Sequence, residues 1–106
     1  MAEQPVYMLN VLWFKEEGGR ETYGRYAQAA APVIGRLGGR LLDAFNPEQA
    51  LIGDWDPDLF FVVEWPSWEA FQALVDDEDY RRDAMPLREE ALERSLLIRC
   101  SRADFG

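Results

Sequence analysis

The chain contains no histidine, one lysine (Lys15) and one cysteine (Cys100). Histidine is the side chain whose charge ordinarily changes near neutral pH, and it is the commonest protein metal ligand. Without it the usual general base is missing and any metal site must be built from carboxylates. A single cysteine rules out an intramolecular disulfide and suits a reducing compartment. With no histidine to activate it, Cys100 reads as a buried, inert thiol. Cations are few as well: 11 Lys and Arg stand against 20 Asp and Glu, a formal net charge of −9. Phosphate recognition needs clustered positive charge, so nucleic acid and anionic membrane surfaces are excluded as expected partners. No apolar run is long enough to span a bilayer. The opening Met1-Ala2-Glu3-Gln4-Pro5 lacks the basic and apolar regions of a secretory signal, and the expectation is cytoplasmic.

What is present suits a globular fold. Hydrophobic residues make up 48% and aromatic residues 13% of 106 positions, and residues 1–106 are expected to form a single domain. Val6 to Phe14, interrupted only by Asn10, reads as a strand buried on both faces. After the break at Lys15–Gly19, Tyr23, Tyr26, Ala27, Ala30, Ile34 and Leu37 fall on one helical stripe. Pro32 is expected to kink this helix, and Gly38-Gly39 to end it. A second strand starts at Arg40–Phe45 and is expected to resume at Ala50–Ile52, before a turn at Trp55–Asp58. Leu59 to Trp65 is the clearest strand. Ser67 caps a helix carrying Phe71, Leu74 and Val75. Asp77 opens another helical stretch, broken and restarted at Pro86 and continuing its buried side through Leu87, Ala91 and Leu92. Ser95 to Cys100 closes as a strand. The acidic run Asp76–Asp79 lacks the alternating ligands of a calcium loop and reads as helix-capping charge.

The order β-α-β-β-α-β is the split βαβ pattern of α+β, ferredoxin-like folds: a four-stranded antiparallel sheet with helices on one face. Strands covered on one side alternate apolar and polar residues, yet Leu59–Val63 and Tyr7–Trp13 hardly alternate. Strands ~4.8 Å apart and about six residues long leave a second face of roughly 400 Å². An apolar patch of that size calls for a cover. The simplest cover is the same face of a second subunit, giving a homodimer through the open sheet face.

Several segments resemble a known family as a set. These are Tyr23 and Tyr26 leading through Ala30-Ala31-Pro32 to Gly38-Gly39-Arg40, then Gly53-Asp54-Trp55-Asp56-Pro57, Glu64-Trp65-Pro66-Ser67, the segment ending at Tyr80, and Pro86-Leu87-Arg88. In order and spacing they resemble the uncharacterised DUF1330 family of the dimeric α+β barrel superfamily, over nearly the whole chain. Trp65 stands where that family usually has phenylalanine, and the first loop is rich in glycine. The resemblance implies a dimer whose two sheets close into a barrel, with a small pocket between sheet and helices in each subunit. It implies no reaction and no cofactor. Haem-binding relatives generally use a histidine ligand, which this chain lacks.

Candidate residues follow from charge and position. Glu64 lies in an otherwise apolar strand, where an unpaired carboxylate is costly. It reads either as the partner of Arg40 or Arg88, or as a pocket carboxylate with a raised pKa suited to proton transfer. Arg40 either pairs with Glu64 or Asp43 or, with Arg88, holds an anionic substrate. Tyr23 and Tyr26 are core residues or pocket donors. Trp55 lids a pocket or staples its hairpin. Asn10 needs partners for a buried amide. One functional expectation is a protein binding a small metabolite, anionic or neutral, with or without cofactor-independent catalysis. In it Glu64 is the acid/base candidate, Arg40 and Arg88 hold the anion, and Tyr23, Tyr26, Trp55 and Tyr80 line the pocket. The alternative is a non-enzymatic dimerisation module without a ligand.

Overall fold

The protein was analysed as a computed structural model that describes residues 4–105. Met1 to Glu3, the first residues of the stretch tested for a secretory signal, and Gly106 lie outside the described residues. Strand β1 (Val6–Phe14), helix α1 (Gly19–Arg36), β2 (Arg40–Phe45), β3 (Leu59–Trp65), α2 (Trp68–Asp76), α3 (Met85–Ala91) and β4 (Leu92–Cys100) follow in order, with a π-helical turn at Tyr80–Ala84 before α3. The strands form one four-stranded sheet in the order β2-β3-β1-β4, and every neighbouring pair is antiparallel. This is the expected α+β, ferredoxin-like architecture. No helix of the described residues is long and apolar enough to cross a membrane.

Side chains alternate between faces along a strand, so the β1–β3 register (Met8 opposite Val63, Val6 opposite Trp65) sorts them. Val6, Met8, Leu12, Val63 and Trp65 join Tyr23, Tyr26, Ala30 and Val33 of α1 and Leu74 of α2 in the hydrophobic core. The opposite, outer face carries Leu9, Val11, Phe60 and Val62 in register, with Leu96 and Ile98 from β4.

Helix ends form where short-range chemistry directs them. The Ser67 Oγ accepts from the Ala70 backbone N–H at 3.1 Å, satisfying an otherwise unpaired donor at the start of α2. Asp77 does the same ahead of the π turn, accepting from the Tyr80 N–H at 2.9 Å. It also pairs with Arg36 at 2.7 Å. The acidic run is thus used partly in capping, as expected. Gly38 adopts φ +92° just past α1, a conformation that suits glycine. Helix α1 continues through Pro32 to Arg36.

Two expectations are corrected. Strand β2 does not resume at Ala50–Ile52: residues 46–58 leave the sheet, and Leu51 and Ile52 are 86% and 98% exposed. Beyond the Phe45–Phe60 pair β3 offers only Leu59, so there is no partner strand left for a continued β2 to pair with. Pro47 supplies no backbone donor either. Strand β4 begins at Leu92 rather than Ser95, because β1 runs on to Phe14 and its register shifts there to meet Leu92. The helical break before Pro86 is a π turn in which the Met85 N–H reaches the Tyr80 carbonyl. Pro86 brings no donor, and in a regular α-turn its ring would crowd the Arg82 carbonyl; the wider turn immediately before it relieves that crowding.

Gly39 passes so close to its neighbours that an added Cβ would lie 2.6 Å from Ile34 Cγ2 and 2.9 Å from Trp65 Cη2, whereas Gly24 on α1 has open space. Gly39→Ala is expected to cost about 1–3 kcal/mol through overpacking. Gly24→Ala is expected to gain about 0.5–1 kcal/mol by helix propensity. Urea denaturation of both variants checks the contrast, and equal effects would contradict the packing at Trp65.

Candidate functional site

A cavity of about 590 Å³ lies between the inner face of the sheet and the helices. It opens beneath α1 because three of the α1 residues in its wall, Ala27, Ala30 and Ala31, have side chains too short to reach the strands. Phe61 and Asn10 form part of its floor, and Trp65 and Phe71 part of its side. The wall is mainly apolar. Its polar groups are the three tyrosines Tyr23, Tyr26 and Tyr80, together with Asn10, Arg88 and the exposed Glu89.

The tyrosines form a connected group. Tyr23 and Tyr26 project from successive turns of α1, their ring centroids 5.0 Å apart. The Tyr26 ring meets Tyr80 edge to face at 6.1 Å, and the Tyr26 and Tyr80 hydroxyls share a buried hydrogen bond of 2.9 Å. The π turn places Tyr80 there. Burial pushes the Tyr23 and Tyr26 phenols well above their ordinary value of 10.0, while the charge of Arg88 pulls both back. Both are therefore neutral donors at physiological pH. The Asn10 amide donates to the Met8 carbonyl at 3.1 Å, and its side-chain oxygen is left without a partner among the described residues.

The structure brings together four of the candidate residues, Tyr23, Tyr26, Tyr80 and Arg88, and leaves three elsewhere. Arg40, Glu64 and Tyr7 lie in register across β2, β3 and β1 on the outer face of the sheet. Arg40 donates to Glu64 Oε1 from Nε at 3.1 Å and from Nη2 at 2.5 Å. These hydrogen bonds hold the Glu64 carboxyl below its ordinary value of 4.5; desolvation opposes them, and Tyr7 and Arg102 reinforce them. The raised carboxyl expected of a pocket acid is not what the structure shows, because Glu64 faces a cation and points away from the cavity. Arg40 and Arg88 likewise lie on opposite sides of the sheet. Trp55 packs edge to face on Trp13 at 5.8 Å, and the Trp13 indole donates to Asp56 at 3.1 Å. It therefore staples its loop rather than lining the cavity. Cys100 ends β4 half-buried, its thiol near the Ile98 carbonyl at 3.5 Å.

Phe61 and Met85 also belong to the wall and were not among the candidates. Phe61 was legible from its two-residue spacing to Val63 and Trp65. Met85 was not, since its position depends on the π turn.

A lowered carboxyl pKa stabilises the fold above the unfolded value, and the gain is lost as pH falls through the folded one. Glu64→Gln is therefore expected to lower the melting temperature at pH 7, with the difference closing as pH drops below 4.5. Because Arg40 is exposed, the difference should also shrink in high salt. Thermal melts from pH 7 to pH 3 check this, and a pH-independent difference would remove the ion pair as its cause.

The fold and much of the chain have known counterparts. The chain is similar to RPA0582, a protein of unknown function from Rhodopseudomonas palustris, at 34% identity and a TM-score of 0.87, covering 96% of this chain and 85% of that one. It shares its fold with a dimeric ferredoxin-like protein of unknown function from Bacteroides fragilis, at 6% identity and a TM-score of 0.68, covering 96% of this chain and 100% of that one. Another such dimeric protein, from Jannaschia sp. CCS1, shares 14% identity with a TM-score of 0.68, covering 92% and 99% respectively. No curated protein matches the chain. The model of a family described as a domain of unknown function, DUF1330, matches residues 7–99, and the chain belongs to that family.

Proposed function

We propose that the protein is a homodimeric small-molecule binder whose ligand occupies the cavity under α1. The observation that carries this reading is the cavity itself: about 590 Å³ falls within the ~300–1,000 Å³ typical of small-molecule sites. Its mainly apolar wall with a few convergent polar groups has the composition of such a site. Binding is favoured over turnover because the wall, among the described residues, holds one carboxylate, Glu89, and that group is exposed to solvent. The single cysteine, which forms no intramolecular disulfide, supports a cytoplasmic setting.

Dimerisation is supported by what the subunit leaves uncovered. Phe45, Ile98, Leu51 and Ile52 are 53%, 44%, 86% and 98% exposed. The radius of gyration is 14.7 Å, against about 13 Å for a compact chain of this length. The difference reflects segments that project instead of folding back. The proposed interface is the outer face of the sheet together with the 46–58 connection, and proteins of the same fold are described as dimeric.

Native mass spectrometry of the freshly purified protein tests both parts. The wild type is expected as a dimer carrying extra mass. Ala27→Trp, which fills the cavity from an exposed position, is expected to lose that mass and remain dimeric. Ile98→Glu is expected to give a folded monomer, and an unchanged dimer in that variant would move the interface away from the sheet. A dimer with no added mass, and no melting-temperature shift across a metabolite library, would favour a dimerisation module without a ligand.

A further inference from the structure

We infer that the cavity takes an apolar monocarboxylate, its body against the aromatic and aliphatic wall and its carboxylate on Arg88 and the Tyr26–Tyr80 hydroxyl pair. This rests on the cavity being a ligand site and names the chemistry it selects.

Arg88 differs from every other arginine of the chain. The other nine are exposed to solvent. Arg36, Arg40 and Arg82 are also ion-paired to carboxylates, and Arg20, Arg94, Arg99 and Arg102 lie over aromatic rings. Arg88 is half-buried in the cavity wall, and its guanidinium has no hydrogen-bond or ion-pair partner among the described residues. A partly desolvated cation without a partner is costly. A planar carboxylate satisfies it with two parallel hydrogen bonds.

The tyrosine pair supplies a second donor. Two hydroxyls carry two protons, and the Tyr26–Tyr80 hydrogen bond uses one of them; the other has no acceptor among the described residues. Each hydroxyl can donate as well as accept, so the remaining proton is available to an acceptor in the cavity. Arg88, Tyr23, Tyr26 and Tyr80 all line this one cavity, and the charge of Arg88 acts on Tyr23 and Tyr26. An anionic acceptor therefore suits both groups at once.

The rest of the wall limits the ligand further. Met8, Leu59, Phe61, Val63, Trp65 and Phe71 surround the remaining space and favour an apolar body, aromatic or aliphatic. Glu89 is the one carboxylate in the wall and the chain has a net charge of −9. A dianion such as a phosphate monoester would bring a second charge that no cation in the wall balances, so a single negative charge is selected.

Isothermal titration calorimetry of the dimer with 4-phenylbutyrate, decanoate and the uncharged 4-phenylbutyramide tests this. At least one acid is expected to bind, and about 10- to 100-fold tighter than the amide, the range for a hydrogen bond to a charged group. Arg88→Gln is expected to melt no lower than the wild type, since the unpartnered charge is removed, and to bring acid and amide within a few-fold of each other, with Arg88→Lys intermediate. Which acid binds tighter separates an aromatic from an aliphatic ligand. If the amide binds the wild type as tightly as its acid, the carboxylate assignment is overturned while the cavity remains a binding site. If neither acid nor amide binds, and Ala27→Trp changes no retained mass, both readings fall together.

Discussion

The antiparallel register of β1 against β3 is the constraint on which the rest of this structure depends. Each side chain of the two central strands is assigned to one of two faces by it, and a shift of one residue would exchange the faces. With Met8 opposite Val63 and Val6 opposite Trp65, the core residues of both strands face α1 and α2. Glu64, between Val63 and Trp65, must then face the other way. That placement brings it beside Arg40 rather than into the cavity, so the same register that packs the core decides which ionisable group reaches the site.

The cavity follows from a mismatch between layers. Trp65 fills the space near the end of α1, where Gly39 has no side chain to obstruct it. Further along, α1 presents alanines to the sheet and leaves a gap. Well-packed interiors leave few voids larger than a water molecule, so a gap lined by three tyrosines and an arginine differs from an ordinary packing defect. The π turn contributes to it by turning Tyr80 toward Tyr26. Such local departures from α-helical geometry frequently occur at functional sites. The outer face carries the apolar Leu9, Phe60, Val62, Leu96 and Ile98 beside the Arg40–Glu64 pair.

Much of the fold was legible along the chain. The ranges of β1 and β3 follow from runs of β-branched and aromatic residues, the start of α2 from Ser67 and the end of α1 from Gly38. These features depend on contacts a few residues apart, and local sequence describes such contacts well. The fate of Ala50–Ile52 does not follow from local sequence. An apolar triplet after a strand resembles more strand, but only the partner strand decides whether there is anything left to pair with.

The candidate site divides in the same way. Sequence by itself determined the ferredoxin-like order, the acidic and histidine-free chemistry, the stripe that sets Tyr23 beside Tyr26, and the need of Glu64 for a cation. Tertiary structure alone decided that the cation is Arg40, that the pair sits on the outer face, and that Arg88 stands apart from it in the cavity wall that the tyrosines also line. The physical reason is that a charge can be recognised as needing a partner from its own surroundings in the sequence. Which partner it meets depends on strand register and helix packing between residues dozens of positions apart, and no local pattern encodes those distances.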